Sequence, residues 1–374
     1  MTVDPTLQPK PEDSWSEDLL TVDNALMATP KGKLTLSFKA GIFDADGNPV
    51  HQASVWRGNR RIMLPPRRLP DPKRTMDGAW LWGGLLYNHF GHFLCEGTTR
   101  LWALDHLPQP VNGLLFYAKY EGEEGEAVRG YHERFIRLMG CDLPITIVRQ
   151  PTRVDRLFVP GQGFGLGPMS PGSPKFRAAV AARFGRDVAA EGPKKIYVSR
   201  SEIGPRKGGL LFEKQLEELL VQQGYEIFHP QKHSLDEQVA RYKAATHILA
   251  AEGSALHFLA FCARADQNIG MVVRRVSGAT RNIQRNVGGF CGKTPSVFKA
   301  IKRSWMPETS TRKHMAVAEL DFPQLQRELQ QAGFISDGPA WRDFTGDEAA
   351  KEIFSVRFRR INKYHATEVE DEDA

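Results

Sequence analysis

Between residues 195 and 273 the apolar residues alternate between two periods, and that alternation constrains the fold more than any other feature of the chain. KIYVS (195–199), YEIF (225–228), HILAA (247–251) and NIGMVV (268–273) have the length and β-branched content of buried strands. Helical patterns at 212–223, 235–244 and 253–262 fill the gaps, the first closed by Gly224 where a left-handed C-cap favours glycine. Strand, helix and strand joined by short connections predict a parallel, doubly wound sheet. Ligands of such sheets bind beyond the carboxyl ends of the strands, so the loops at 200–209 and 252–254 are expected to border one crevice. A further strand–helix pair is expected at 316–320 and 322–332. A helix-like stretch at 347–362 is expected to pack back on the first half of the chain.

That first half is less regular. Residues 1–30 are acidic and Pro-containing and read as a flexible lead-in. KLTLSFKAGI (33–42) alternates like a strand, and Asp44-Ala45-Asp46-Gly47-Asn48 is strong turn chemistry, which predicts a hairpin onto residues 50–56. A Pro- and Arg-rich loop follows, up to residue 72. AWLWGGLL (79–86) leads into 87–104, where Phe90, Phe93, Leu94, Leu101 and Leu104 keep helical spacing across Gly91 and Gly97. Strands at 114–117, 145–148 and 156–160 and a helix at 126–139 suggest another α/β domain. GQGFGLGPMSPGSP (161–174) reads as a linker; a dinucleotide fingerprint would need GxGxxG opening a helix directly. The expected organisation is a lead-in at 1–30, an N-terminal α/β domain at 31–174, a C-terminal Rossmann-like domain at 175–335, and a C-terminal helix with an acidic tail at 336–374.

Composition narrows the function classes. Hydrophobic residues make up 41% and charged residues 25%, the balance of a soluble globular chain. No apolar run approaches the roughly 20 residues that span a bilayer. The first residues lack a basic stretch followed by an apolar one, so a cytoplasmic location is the expectation. Cys95, Cys141, Cys262 and Cys291 form no CxxC pair, so reduced, packed thiols are expected, with neither a disulfide framework nor a zinc ribbon. The net charge of +6 is concentrated at 57–74, 264–302 and 357–363. Such patches suit an anionic small substrate, a nucleic acid or an anionic membrane surface. No RNA-type interleaving of aromatic and basic residues accompanies them, which disfavours nucleic acid.

Three stretches carry candidate chemistry. In YVSRSEIGPRKGG, Arg200, Arg206 and Lys207 lie just past a predicted parallel strand, where guanidinium groups suit bidentate binding of a diphosphate. The turn Gly253-Ser254 opens a helix whose free N–H groups suit the same anion, with His257 one turn further in. A solvated basic loop is the plainer alternative. Glu252, just before that helix, either accepts hydrogen bonds from sugar hydroxyls or caps the helix. In NHFGHFLCEG (88–97), His92 and Glu96 are four apart and share a helical face, with His89 adjacent and Cys95 off that face. Three readings stand: a metal site, although HExxH is absent; a histidine base oriented by a carboxylate; or packed polar residues.

Together these stretches resemble glycosyltransferase family 61. The motifs that carry the likeness are Tyr197-Val198-Ser199-Arg200, the later Arg206, Gly224-Tyr225-Glu226-Ile227, Glu252-Gly253-Ser254-Ala255-Leu256-His257, and His92-Phe93-Leu94-Cys95-Glu96 followed by Arg100. The likeness covers roughly residues 80–335. Glu252 replaces the family's usual histidine and Phe258 its usual asparagine, which puts the donor contacts of those side chains in doubt. The resemblance implies an α/β, GT-B-like architecture, with two Rossmann-like α/β domains facing a cleft. It implies inverting, metal-independent transfer from a nucleotide sugar to a saccharide or glycan hydroxyl, with no further cofactor, in capsule or other surface polysaccharide synthesis. On this reading Arg200, Arg206, Lys207, Gly253, Ser254 and His257 bind the donor, His92 is the base oriented by Glu96, and Glu252 is the rival base. A non-catalytic nucleotide- or sugar-binding partner and a nucleotide-dependent oxidoreductase are the alternatives. Peripheral association with the inner membrane and a homodimer stay open.

Overall fold

The computed structural model describes residues 8–12, 14–31, 37–118, 127–204, 207–308, 311–354 and 364–369. The chain divides into two compact units. The first comprises 1–187, 260–262 and 285–290; the second comprises 188–259, 263–284 and 291–374.

The first unit is built on a seven-stranded mixed sheet. Its strands are β1 (Leu19–Lys31), β2 (Phe38–Phe43), β5 (Met63–Leu64), β6 (Arg74–Leu86), β7 (Leu114–Ala118), β8 (Ile145–Val148) and β9 (Thr152–Pro160), in the order β5-β2-β1-β9-β6-β7-β8. The run β9-β6-β7-β8 is parallel, whereas β1 is antiparallel to both β9 and β2. Strand β1 corrects the expected flexible lead-in, because residues 19–31 hold the middle of the sheet. Local signals hide it. Asp23-Asn24 interrupts the apolar pattern, Asn24 takes φ +54°, and Ala25 to Ala28 are all buried instead of alternating. Eight aligned pairs with β9, from Leu19↔Pro160 to Met27↔Thr152, make it a strand.

The hairpin expected at 44–56 is only partly formed. A single Phe43↔Pro49 bridge closes the Asp44 turn, and the chain then makes a 3₁₀ turn at His51–Ala53. A tighter hairpin follows, β3 (Trp56–Arg57) against β4 (Arg60–Arg61). Residues 32–36, the first part of the strand expected at 33–42, lie outside the described residues. Helices α1 (Phe90–His92), α2 (Gly130–Leu138) and α3 (Pro174–Arg183) complete the unit. Ser173 caps α3 and Pro174 opens it, the residue types a helix N-terminus favours. The unit boundary falls after Asp187, so α3 lies in the first unit.

The second unit carries a five-stranded, wholly parallel sheet. Its strands are β10 (Lys195–Val198), β12 (Glu226–Phe228), β13 (His247–Ala251), β14 (Asn268–Val272) and β15 (Ser296–Phe298), in the order β12-β10-β13-β14-β15. Counted within the sheet this is order 2-1-3-4-5, which reverses direction between β10 and β13. Doubly wound sheets bind ligands at that switch point, outside the carboxyl ends of the strands. Helices α4 (Glu213–Gln222), α5 (Leu235–Ala244) and α6 (Ser254–Ala260) make the crossovers, and α7 (Ala279–Cys291) precedes β15.

A second sheet, in the order β11 (Gly209–Leu210), β17 (Val317–Leu320), β16 (Ile301–Pro307) and β18 (Tyr364–Glu368), shares its core with the first. Tyr197, Leu249 and Val272 cluster there with Trp305, Val317 and Leu325 of α8 (Phe322–Gln331). Helix α9 (Gly346–Ile353) buries Ala349 and Ile353 in the same cluster. It was expected to pack on the first half of the chain. Its own apolar face instead completes the second unit, and residues 355–362 of that expected helix lie outside the described ones. Among the described residues no helix is long and apolar enough to cross a membrane.

Candidate functional site

The single helix expected over 87–104 is three successive turns. Three residues of α-helix (α1) pass into one π turn at Phe93–Gly97 and, after Thr98 to Arg100, into a 3₁₀ turn at Leu101–Asp105. The glycines explain the break. A Cβ on Gly97 would stand 2.9 Å from the Phe93 ring and 3.2 Å from the Leu85 carbonyl, a packing no regular helix with a side chain there could reach. One-turn π segments recur at functional sites.

This turn brings His92 and Glu96 together. The carboxylate of Glu96 is fully buried, and its Oε2 lies 2.5 Å from His92 Nδ1. The far side of the carboxylate meets a residue of the Arg-rich stretch at 57–74. Arg57, on β3, donates from Nε to Glu96 Oε1 at 2.6 Å and from Nη2 to Oε2 at 3.2 Å. It also donates to the Tyr87 hydroxyl at 3.4 Å. Burial alone would raise the Glu96 pKa. The His92 hydrogen bond and the Arg57 charge outweigh it, so the carboxyl ionises below the usual glutamate range. A carboxylate on Nδ1 leaves Nε2 as the nitrogen that can accept a proton, and the His92 side chain is 39% exposed.

The other polar residues of the stretch play supporting parts. His89 is exposed and caps α1, its Nδ1 accepting from His92 N. Burial and the nearby Glu96 push the Cys95 thiol well up. Arg100 is a buried staple that donates to the carbonyls of Pro160, Gln52 and Ser54. Among the described residues no group of three or more His, Cys, Asp or Glu side chains is arranged to hold a metal ion.

In the second unit the described ones of the predicted donor residues follow β10 and β13, the strands that flank the switch point. Arg200 follows β10; its backbone N–H donates to Glu213 Oε1 at 2.7 Å and its Nη2 to the Lys207 carbonyl at 2.9 Å. The guanidinium lies across Gly253, where an added Cβ would be 2.7 Å from Nη1. Lys207 is exposed, while Ser254 and His257 are half-buried on α6. Arg206 lies outside the described residues.

Glu252 does something the sequence did not suggest. Its side chain is fully buried; Oε1 accepts from Arg275 Nε at 2.8 Å, and Oε2 accepts from the backbone N–H of Arg274 at 3.4 Å. That arrangement fits neither a cap on α6 nor an exposed base. Arg274 and Arg275, two and three residues past β14, fall within the basic stretch at 264–302. Arg274 is a second staple: Nε donates to the Glu252 carbonyl at 2.9 Å and Nη1 to the His314 carbonyl at 3.1 Å. Burial, then the charges of Arg200 and Arg275, lower its pKa to about 9, which still leaves it charged at neutral pH. Room for it depends on Gly208, whose φ of +62° and whose Cβ position, 2.6 Å from Arg274 Nη1, both exclude a side chain. Burial and the charges of Arg275, Arg312, Lys207 and Arg274 lower the His314 pKa. The carboxyl ends of β10 and β14 thus carry Arg200, Arg274 and Arg275 in one positive field. The carboxylates acting on Arg274, Glu213 and Glu252, already accept hydrogen bonds from protein partners. A doublet such as Arg274-Arg275 directly after a predicted parallel strand was the signal available for it.

Two hollows of the first unit, about 610 and 420 Å³, are lined by none of the predicted site residues. None of the curated proteins compared matches the chain. Residues 90–269, just under half of it, match the family model described as Glycosyltransferase 61. The matched span runs from α1 into β14 and includes His92, Glu96, Arg200 and Glu252.

Proposed function

We propose that the protein is an inverting glycosyltransferase that uses no metal ion to hold its nucleotide-sugar donor, and that it builds a surface polysaccharide. The observation that carries this reading is the positive field of Arg200, Arg274 and Arg275 at the switch point of the parallel sheet. A departing nucleoside diphosphate gains negative charge as the glycosidic bond breaks. Fixed guanidinium groups stabilise that charge as a divalent ion would. His92 Nε2 takes the proton of the acceptor hydroxyl, and the oxygen attacks the anomeric carbon. The bond to the diphosphate oxygen breaks on the opposite face, which inverts the configuration. Glu96 and Arg57 hold the imidazole in the tautomer this step needs. The acceptor is a saccharide or glycan hydroxyl.

The test is a screen of nucleoside diphosphates and nucleotide sugars by thermal shift, because a ligand that binds only the folded state raises stability by mass action. At least one base class is expected to raise Tm, Arg200→Ala to abolish the shift, and His92→Ala to keep it. If no UDP, GDP, dTDP or CMP compound moves Tm, the donor reading fails. Equal loss in the two variants removes the division of roles.

A further inference from the structure

The Arg275 guanidinium is held at one corner only. Nε donates to Glu252, and among the described residues the two Nη groups have no partner. Arg274 and His314 feel its charge, and Lys207 and Arg312 add theirs at His314. Crowded by like charge, a long side chain with this freedom would swing towards solvent. Glu252 prevents that, and is itself immobile. It is 0% exposed, its N–H donates to the Val272 carbonyl at 2.9 Å, and its own carbonyl accepts from Arg274. A carboxylate on Nε leaves the planar Nη pair as an unfilled fork of N–H donors, the geometry that grips phosphate oxygens bidentately. With its side chain 16% exposed, Arg275 keeps a path to a ligand.

We propose that Arg275 is an anion-binding residue of this site, that its Nη groups take the pyrophosphate of a nucleoside diphosphate, and that Glu252 is the positioning carboxylate that aims it. This rests on the donor reading above and replaces the role of Glu252 as a base.

The experiment measures inorganic pyrophosphate and UDP binding by calorimetry on the full chain. The variants are Arg275→Gln, Arg275→Lys, Glu252→Gln and the double variant Arg275→Gln/Glu252→Gln, each first checked for an unchanged circular dichroism spectrum. Arg275→Gln is expected to weaken pyrophosphate about 10- to 100-fold, the loss of a charge-assisted pair. Arg275→Lys, which keeps the charge without the fork, recovers part of it. Glu252→Gln keeps the shape of the buried side chain and is expected to weaken binding roughly 5-fold, with no further loss in the double variant than in Arg275→Gln alone. Wild-type binding that Arg275→Gln leaves unchanged overturns this proposal and leaves the anion on Arg200. Additive losses in the double variant overturn the positioning role of Glu252. A wild-type chain that binds neither pyrophosphate nor any nucleoside diphosphate overturns the donor reading itself.

Discussion

Each unit carries a fully buried glutamate clamped by an arginine, and the two clamps aim different things. Glu96 holds His92 on one side and Arg57 on the other, both partly exposed, with side chains 39% and 29% accessible. Glu252 holds Arg275 among other arginines, at the carboxyl end of a parallel sheet. The first clamp presents an imidazole nitrogen, which suits proton transfer; the second presents a guanidinium fork, which suits an anion. The same buried carboxylate therefore serves acid–base chemistry or charge recognition according to what it holds and how much water reaches the partner.

The sharpest way to break this comparison is to delete each carboxylate. Glu252→Ala leaves Arg275 and the buried Arg274 in a field of like charge, and is expected to cost about 3–5 kcal/mol of stability in urea unfolding. Glu96→Ala leaves two groups that reach water, so about 1–2 kcal/mol is expected. Equal costs would show that the two environments do not differ as described.

Arg57→Ala tests the first clamp by pH. Glu96 has a folded pKa below its ordinary value, so its stabilisation is present above that ordinary value and is lost as pH falls through the folded pKa. Removing the arginine takes away one of the two influences that hold the pKa down. The acid-side fall of Tm, followed from pH 7 to pH 3, is expected to be smaller and to level off at higher pH than in the wild type, because the gap between the unfolded and folded pKa of Glu96 narrows. Unchanged acid limbs would mean that His92 alone keeps the carboxylate ionised.

The smallest effect concerns Arg200, beside the second clamp. In Gly253→Ala the added Cβ displaces the Arg200 guanidinium, the far end of a flexible side chain, and not backbone. The fold is expected to survive while nucleoside diphosphate affinity falls about 3- to 10-fold. A large drop in Tm would place the role of Gly253 in folding instead.

How much of this was legible in the sequence differs between the units for a physical reason. In β10 to β14, strands buried on both faces between helices leave continuous apolar runs bounded by caps, a local pattern that survives in one dimension. Arg200 and the Gly253 turn could be read for the same reason, since both lie at the ends of such runs. The seven-stranded sheet depends on β1 pairing with residues more than a hundred positions away, and no local periodicity announces that pairing. Arg57 was hidden likewise, 39 residues from Glu96 in a two-residue strand.

By itself the sequence determined the parallel βαβ series, the spacing that pairs His92 with Glu96, and the basic loop at the end of β10, because each rests on neighbours within a few residues. Only the tertiary structure decided that residues 19–31 are a central strand and that Arg57 completes the His92 pair. It also decided that Glu252 faces Arg275 and not a substrate hydroxyl. Those contacts join segments far apart in the chain, and the burial that gives a charge its partner exists only once the sheet has formed.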